Sequence, residues 1–162
     1  MRQLNTHLNR IIERLLILAM IAIVTVVCSQ VFSRFILRAP SSYTEELARF
    51  ILIWIGVLGA SYAYRTKAHL GLDLFYQKMI PSLRYKCSFV IEICVLITAL
   101  SILVYGGSQL MMLSFELKQT SAALEINMGY VYIVLPLSGV LIVINCIENL
   151  INYAQQKFTE EA

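Results

Sequence analysis

Among the acids, bases and histidines of this chain, one side chain stands inside a long apolar stretch: Glu92, within the run Cys87 to Phe115. An acid at that depth is costly and marks a functional candidate by default. Two chemistries fit it. The first is proton coupling by a carboxyl group that loads and unloads within the membrane. The second is a structural pairing, because Glu92 lies only about 9 Å along a helix from Lys86, close to a basic boundary where an Arg, a Lys or a partner protein can meet it. The basic surroundings favour the second. A denser polar group is formed by Glu45, Glu46 and Arg49, with Trp54 one to two turns deeper and Gly56 and Gly59 following. Helical spacing puts Glu45 and Arg49 on one face, where they can pair, and Trp54 suits the aromatic belt at a membrane interface. Gly56, Gly59, Ala60 and Ala63 would make a smooth strip against which another helix can pack closely.

Other reaction chemistries find no support. His7 and His69 are the two histidines and both fall outside the apolar runs, so axial ligation of a haem between facing helices is excluded. There is no Ser/His/Asp set, no Gly-rich phosphate loop and no two-His zinc motif. Cys28, Cys87, Cys94 and Cys146 lie in or beside apolar runs without a CxxC pair, which reads as packing rather than as a metal or redox site. Neither an enzyme nor a cofactor is expected.

The elements that must position these residues follow from composition. Of 162 residues, 59% are hydrophobic and 14% charged, a balance that suits lipid rather than water. Four apolar runs, Leu15–Ser33, Arg49–Arg65, Cys87–Phe115 and Ile126–Ile147, are each close to the roughly 20 residues that cross the hydrocarbon layer as a helix. Helices satisfy their own backbone, as lipid requires. The second run becomes long enough if it begins at Thr44-Glu45-Glu46, where a capping Thr and two acids suit a helix N-terminus. The expectation is an all-α integral membrane protein forming a single four-helix transmembrane domain over 1–162, with spans near 13–35, 44–64, 86–113 and 128–150. The first run exceeds a typical signal-peptide core and three spans follow it, so a retained helix is expected, and Val26-Val27-Cys28 does not suit lipidation.

Charge sets the orientation. Arg2, Arg10 and Arg14, then Arg65, Lys67, Lys78, Arg84 and Lys86, then Lys157 place nine basic residues on one side, whereas Arg34, Arg38, Arg49 and Lys118 place four on the other. Positive charge stays in the cytoplasm, so both termini are expected there. The net charge of +3 comes from helix ends rather than a basic stripe, which gives no reason to expect nucleic acid as a partner. Between the second and third spans, Leu70, Leu72, Leu74, Phe75, Met79 and Ile80 interleave with Asp73, Gln77 and Lys78, the pattern of a short amphipathic helix on membrane lipid, ended by Pro81. The stretch Ser114–Asn127 reads as a surface-lying loop, with Leu117, Leu124 and Ile126 available for packing.

At these residues the chain resembles the small membrane subunit, of the DctQ type, of tripartite ATP-independent periplasmic (TRAP) transporters. Gln30-Val31-Phe32-Ser33-Arg34-Phe35 is similar to that family's end of the first helix, and Tyr43-Thr44-Glu45-Glu46-Leu47-Ala48-Arg49-Phe50 to its most recognisable motif. Trp54, Gly59-Ala60, Tyr64-Arg65 and His69-Leu70-Gly71-Leu72-Asp73 continue the likeness, as do Ala123-Leu124-Glu125-Ile126, Tyr130-Val131-Tyr132 and Leu135-Pro136. Tyr43 stands where the family commonly has Trp, and Asn127 where Pro is frequent.

The resemblance implies a multi-pass protein of the bacterial inner membrane that scaffolds a large membrane subunit, which itself carries sodium and an organic acid of the C4-dicarboxylate or sialic acid type. A periplasmic binding protein would deliver that substrate. It also implies structural or partner-contact roles for Glu45, Glu46, Arg49 and Trp54 on the periplasmic side and for Arg65, His69 and Asp73 on the cytoplasmic side. The scarcity of polar groups at mid-membrane agrees with this, and no inverted repeat of the kind that builds a carrier's central site is visible. The competing reading is a small autonomous multidrug or ion carrier that works as an oligomer and uses Glu92 as its coupling carboxylate; dependence on a partner distinguishes the two.

Overall fold

Lipid forces the chain into helices, and helices account for most of the described residues. A computed structural model describes residues 2–36, 41–66 and 81–160, with side chains for 10–36, 41–66 and 87–151. The helices are α1 (Arg2–Phe35), α2 (Ser42–Arg65), α3 (Pro81–Thr98), a π-helical segment (Ala99–Gly106), α4 (Gly107–Glu116), the short α5 (Met128–Tyr132) and α6 (Val134–Glu160). Four helical stretches are long and apolar enough to cross a membrane: Arg10–Phe35, Ser42–Arg65, Cys87–Glu116 and Met128–Ile151. The third has 30 residues, about 45 Å of helix at 1.5 Å per residue, which requires tilt in a hydrocarbon layer of about 30 Å. Among the described residues there is no strand, only an isolated antiparallel bridge between Thr120 and Asn127. The proposed amphipathic helix, with His69 and Asp73, lies outside the described residues.

Local chemistry explains the helix ends. Ser41, extended at φ −97° and ψ 110°, caps α2, which begins two residues before the Thr44 start expected from sequence. Thr44 is not the cap: its hydroxyl donates to the Ser41 carbonyl at 2.9 Å. Pro81 opens α3, a position where its missing N–H costs nothing. Pro136 interrupts the fourth span near its start. With no N–H to offer the Tyr132 carbonyl, it leaves a break at Ile133 between α5 and α6.

The third span changes pitch for the eight residues Ala99–Gly106, where the Gly107 N–H reaches back five residues to Ile102. Widening a turn in this way disturbs the carbonyl ladder, and two hydroxyls donate to carbonyls around its start: Thr98 to Cys94 at 2.8 Å and Ser101 to Ile97 at 2.7 Å. The π segment lies along α6. The approach is close because two glycines face it: a Cβ on Gly139 would stand 2.8 Å from Leu103 Cβ and from Val104 Cγ2, and one on Gly107 2.8 Å from Leu135 Cβ. Between membrane helices, where no hydrophobic force drives association, such close packing is the main attraction.

α6 occupies the middle of the bundle, with α3 and the π segment against it on one side and α2 on another. Its buried residues Val134, Ser138, Ile142 and Cys146 follow the four-residue spacing of one helix face. The α1 helix packs against α2, and its span is otherwise covered with exposed apolar side chains such as Leu18, Ile21 and Val24.

Gly139→Ala therefore lowers the stability of the detergent-solubilised chain by about 1–3 kcal/mol through overpacking. Gly56→Ala, whose added methyl meets nothing within 4 Å, stays within about 0.5 kcal/mol. Thermal unfolding followed by the fluorescence of the single Trp54 checks both.

Candidate functional site

Two glutamates, one near each end of the bundle, gather most of the polar contacts between distant parts of the chain. The first is Glu46, in the second turn of α2. Its partner is the connection between α4 and α5, which is shaped by backbone bonds of its own. The Lys118 N–H donates to Phe115 O at 3.2 Å and the Gln119 N–H to Ser114 O at 3.0 Å, while Lys118 takes a left-handed φ of 47°. This is the Schellman end of a helix, with Lys where Gly is usual. The Ser121 N–H then donates to Ile126 O at 2.9 Å, the Met128 N–H to Gln119 O at 2.8 Å, and Glu125 turns left-handed at φ 54°. Asn127 closes the loop as the N-cap of α5, its Oδ1 accepting the Gly129 N–H at 2.8 Å. Phe115 and Tyr130 meet edge to face at 5.2 Å, and the Phe115 ring fills the space a Cβ on Gly129 would need.

Folded in this way, the loop turns three consecutive amides toward α2. Glu46 Oε1 accepts the Ala122 N–H at 3.1 Å; Oε2 accepts those of Ala123 and Leu124 at 3.0 Å each, and the Ser121 hydroxyl. Backbone donors converging on one carboxylate form a charge-assisted anion nest. Glu46 thus fastens the start of α2 to residues 75 to 78 positions away.

The second is Glu92, in α3. Its Oε1 accepts from Asn149 Nδ2 at 2.9 Å, and its Oε2 meets the Tyr64 hydroxyl and, at 3.3 Å, the Cys146 thiol. Tyr64 Oη and Cys146 Sγ are themselves 2.9 Å apart. Tyr64 comes from the last turns of α2, and Cys146 and Asn149 from α6. The group joins three helices, and its described members other than Glu92 are a hydroxyl, a thiol and an amide. Of the partners expected for Glu92 from sequence, the side chain of Lys86 lies outside those described.

The result is a helical bundle of four candidate spans, with an acidic residue early in the second held by the loop before the fourth. Residues 23–156 match the family described as tripartite ATP-independent periplasmic transporters, DctQ component. The chain belongs to this family. It is 28% identical over 153 residues to the sialic acid TRAP transporter small permease protein SiaQ of Vibrio cholerae, covering 94% of this chain and 86% of that one. It is similar too to the isethionate TRAP transporter permease protein DctMQ of Oleidesulfovibrio alaskensis, 27% identical over 141 residues, which are 83% of this chain but 22% of that longer one. The C4-dicarboxylate TRAP transporter small permease protein DctQ of Rhodobacter capsulatus is 26% identical over 100 residues, 61% of this chain and 43% of its own length. The chain is thus a multi-pass inner-membrane small permease subunit of the DctQ type.

In this DctQ chain, Glu45 and Arg49 pair at 3.2 Å with both side chains more than 60% exposed. Exposed helix pairs of this spacing contribute only about 0.3–0.5 kcal/mol. Trp54 is half-buried. Gly56 and Gly59 meet nothing within 4 Å of an added Cβ, so among the described residues no helix uses the strip they form. Arg65 is half-buried and engaged at the end of α2. Glu46 and Glu92 are candidates from sequence, whereas Ser121, Cys146 and Asn149, which complete their clusters, are not. Those three are unremarkable types in runs without a motif; the one signal that could have found Cys146 is its four-residue spacing from Val134, Ser138 and Ile142.

Glu46→Gln puts an amide donor into a nest of donors. Limited proteolysis in the 117–127 loop should then run about tenfold faster than in the parent chain, whereas Glu45→Gln leaves the rate unchanged. Equal rates for both variants would mean that Glu46 does not hold the loop.

Proposed function

We propose that this chain is the non-catalytic scaffold of a sodium-dependent TRAP transporter, bracing a large membrane subunit that carries an organic acid delivered by a periplasmic binding protein. The observation that carries the reading is the use made of Glu92. The acid inside the third span is engaged by Tyr64, Cys146 and Asn149 of its own chain, where a carrier would need it facing a path for substrate or ion. Among the described residues, no buried side-chain nitrogen or oxygen lacks a partner, which suits a bundle built to hold shape.

Pairing with a large subunit is supported by the isethionate permease of Oleidesulfovibrio alaskensis and the sialic acid TRAP transporter permease protein SiaT of Haemophilus influenzae. The part similar to this chain makes up 22% and 23% of their respective lengths, within one longer permease. The named relatives act on sialic acid, isethionate and C4-dicarboxylates, all small organic anions, and that is the substrate class for this chain's transporter. With both termini cytoplasmic, as the distribution of Lys and Arg requires, the Glu46 clasp faces the periplasm and the Glu92 group lies toward the cytoplasm. The exposed face of α2 that carries Glu45, Arg49, Leu52, Gly56 and Ala60 is the contact for the large subunit: its small residues admit a close helix, and its one ion pair stands at the membrane edge.

Arg49→Ala reduces recovery of the small subunit with the large one and lowers uptake severalfold, while thermal stability of the small subunit alone moves by no more than about 0.5 kcal/mol; full uptake with normal co-purification would remove Arg49 from the interface. The wider test is sodium-gradient-driven uptake of labelled sialic acid, isethionate and C4-dicarboxylates in liposomes holding this chain, the large subunit, or both, with binding protein added. Uptake requiring both membrane chains supports the scaffold. Uptake by this chain alone would make it an autonomous carrier.

A further inference from the structure

The α2 helix is held to the rest of the bundle at its two ends, and each hold centres on one carboxylate. At its start, Glu46 reaches the loop that precedes the fourth span; near its end, Tyr64 meets Glu92 of α3 and Cys146 of α6. Between these points α2 presents its exposed face, and α1 rests on α2 rather than on the core of α3 and α6. The orientation of both helices is therefore set by the packing of α2 against α6, with Leu58 and Ser61 buried, and by two small polar groups at its ends. Glu46 is accounted for by the shape of its loop. Glu92 needs another account, because an intramembrane acid has an alternative use as an ion-coupling group.

We propose that Glu92 is a positioning residue: its side chain fixes the far end of α2 against α3 and α6, and so sets the angle at which the exposed α2 face meets its partner. The proposal rests on the scaffold reading above for the partner and on the Tyr64–Glu92–Cys146–Asn149 geometry for the residue. That geometry makes few demands on the acid itself. Toward Asn149 the network needs an acceptor. Toward Tyr64 and Cys146 it needs only a polar atom, because a hydroxyl and a thiol can each donate or accept. A glutamine meets both demands, with its Oε1 toward the Asn149 amide and its Nε2 toward Tyr64 and Cys146. A leucine meets neither: it takes from the Asn149 amide its acceptor on α3 and leaves the Tyr64 hydroxyl with the Cys146 thiol alone, in a region where lipid supplies no replacement. Tyr64→Phe removes the link to α2 while leaving Asn149 on Glu92. An ion-coupling carboxylate behaves in the opposite way: glutamine cannot exchange a proton, and its loss is as complete as that of leucine.

The experiment compares Glu92→Gln, Glu92→Leu and Tyr64→Phe in the assembled two-chain membrane complex. Three quantities are read: hydrogen exchange of the backbone amides in the last two turns of α2, the amount of large subunit recovered with the small one, and the pH profile of sodium-driven uptake. Positioning predicts that Glu92→Leu and Tyr64→Phe speed exchange at the end of α2 by about tenfold and reduce recovery of the complex, and that Glu92→Gln restores exchange, recovery and uptake with an unaltered pH profile. The proposal is overturned if Glu92→Gln abolishes uptake or flattens its pH profile while exchange and recovery stay at the parent level. It is equally overturned if Glu92→Leu changes none of the three. Should the small chain transport alone in liposomes, the scaffold reading fails by that result, whereas the exchange data still decide whether Glu92 holds α2.

Discussion

A hydrocarbon layer offers no hydrogen bonds, so every polar atom this chain brings into it must find a partner within the protein. Most of the architecture follows from that constraint. Ser61, Ser114 and Ser138 are buried and turn their hydroxyls back on the carbonyls of Leu58, Leu110 and Leu135. The hydroxyls of Thr98 and Ser101 do the same where the third span loosens into a π-helix. Side chains too long or too acidic to be satisfied within their own helix are those that join helices. In water, a Glu and a Tyr would gain little from meeting; here the alternative is an unsatisfied group in lipid, and the meeting determines which helices are neighbours.

Apolar packing completes what the polar ties begin. The third and fourth spans approach closely where Gly107 and Gly139 admit opposing side chains that a single methyl group would block. The second span carries glycines as well, but they meet no neighbour among the described residues. One set of glycines is thus spent on the inside of the bundle and another is left facing out. The two differ in what lies against them and not in residue type.

This difference marks how far the sequence was legible. Four apolar runs, their lengths and their interrupting charges were plain, because hydropathy is a property of consecutive residues. Pairing of Glu45 with Arg49 was plain too, since four positions along one helix fix a distance. By contrast, the partners of Glu46 lie 75 to 78 residues away and those of Glu92 on two other helices, and no local rule connects such positions. The glycine strip of α2 attracted notice because its glycines share one helix face, while Gly107, Gly129 and Gly139, which the fold uses, are not spaced in a pattern. The π segment was hidden for a related reason: its residues, Ala99 to Gly106, are ordinary for an α-helix, and the wider turn becomes visible only against α6. Asn127, an apparent departure from the family's Pro, proves to cap α5 with its side chain.

The distance in sequence between Glu46 and its loop also has a consequence for biogenesis. A ribosome adding roughly 5–20 residues per second needs about 4–15 s to travel the 75 residues from Glu46 to Ser121. Until then the acid of α2 is without the amides that will receive it. The nest exists only after α4 has ended and the chain has turned toward the last span. Closing it therefore coincides with the arrival of the fourth helix, and the Glu46 carboxylate serves as a latch that shuts only on a fully inserted protein.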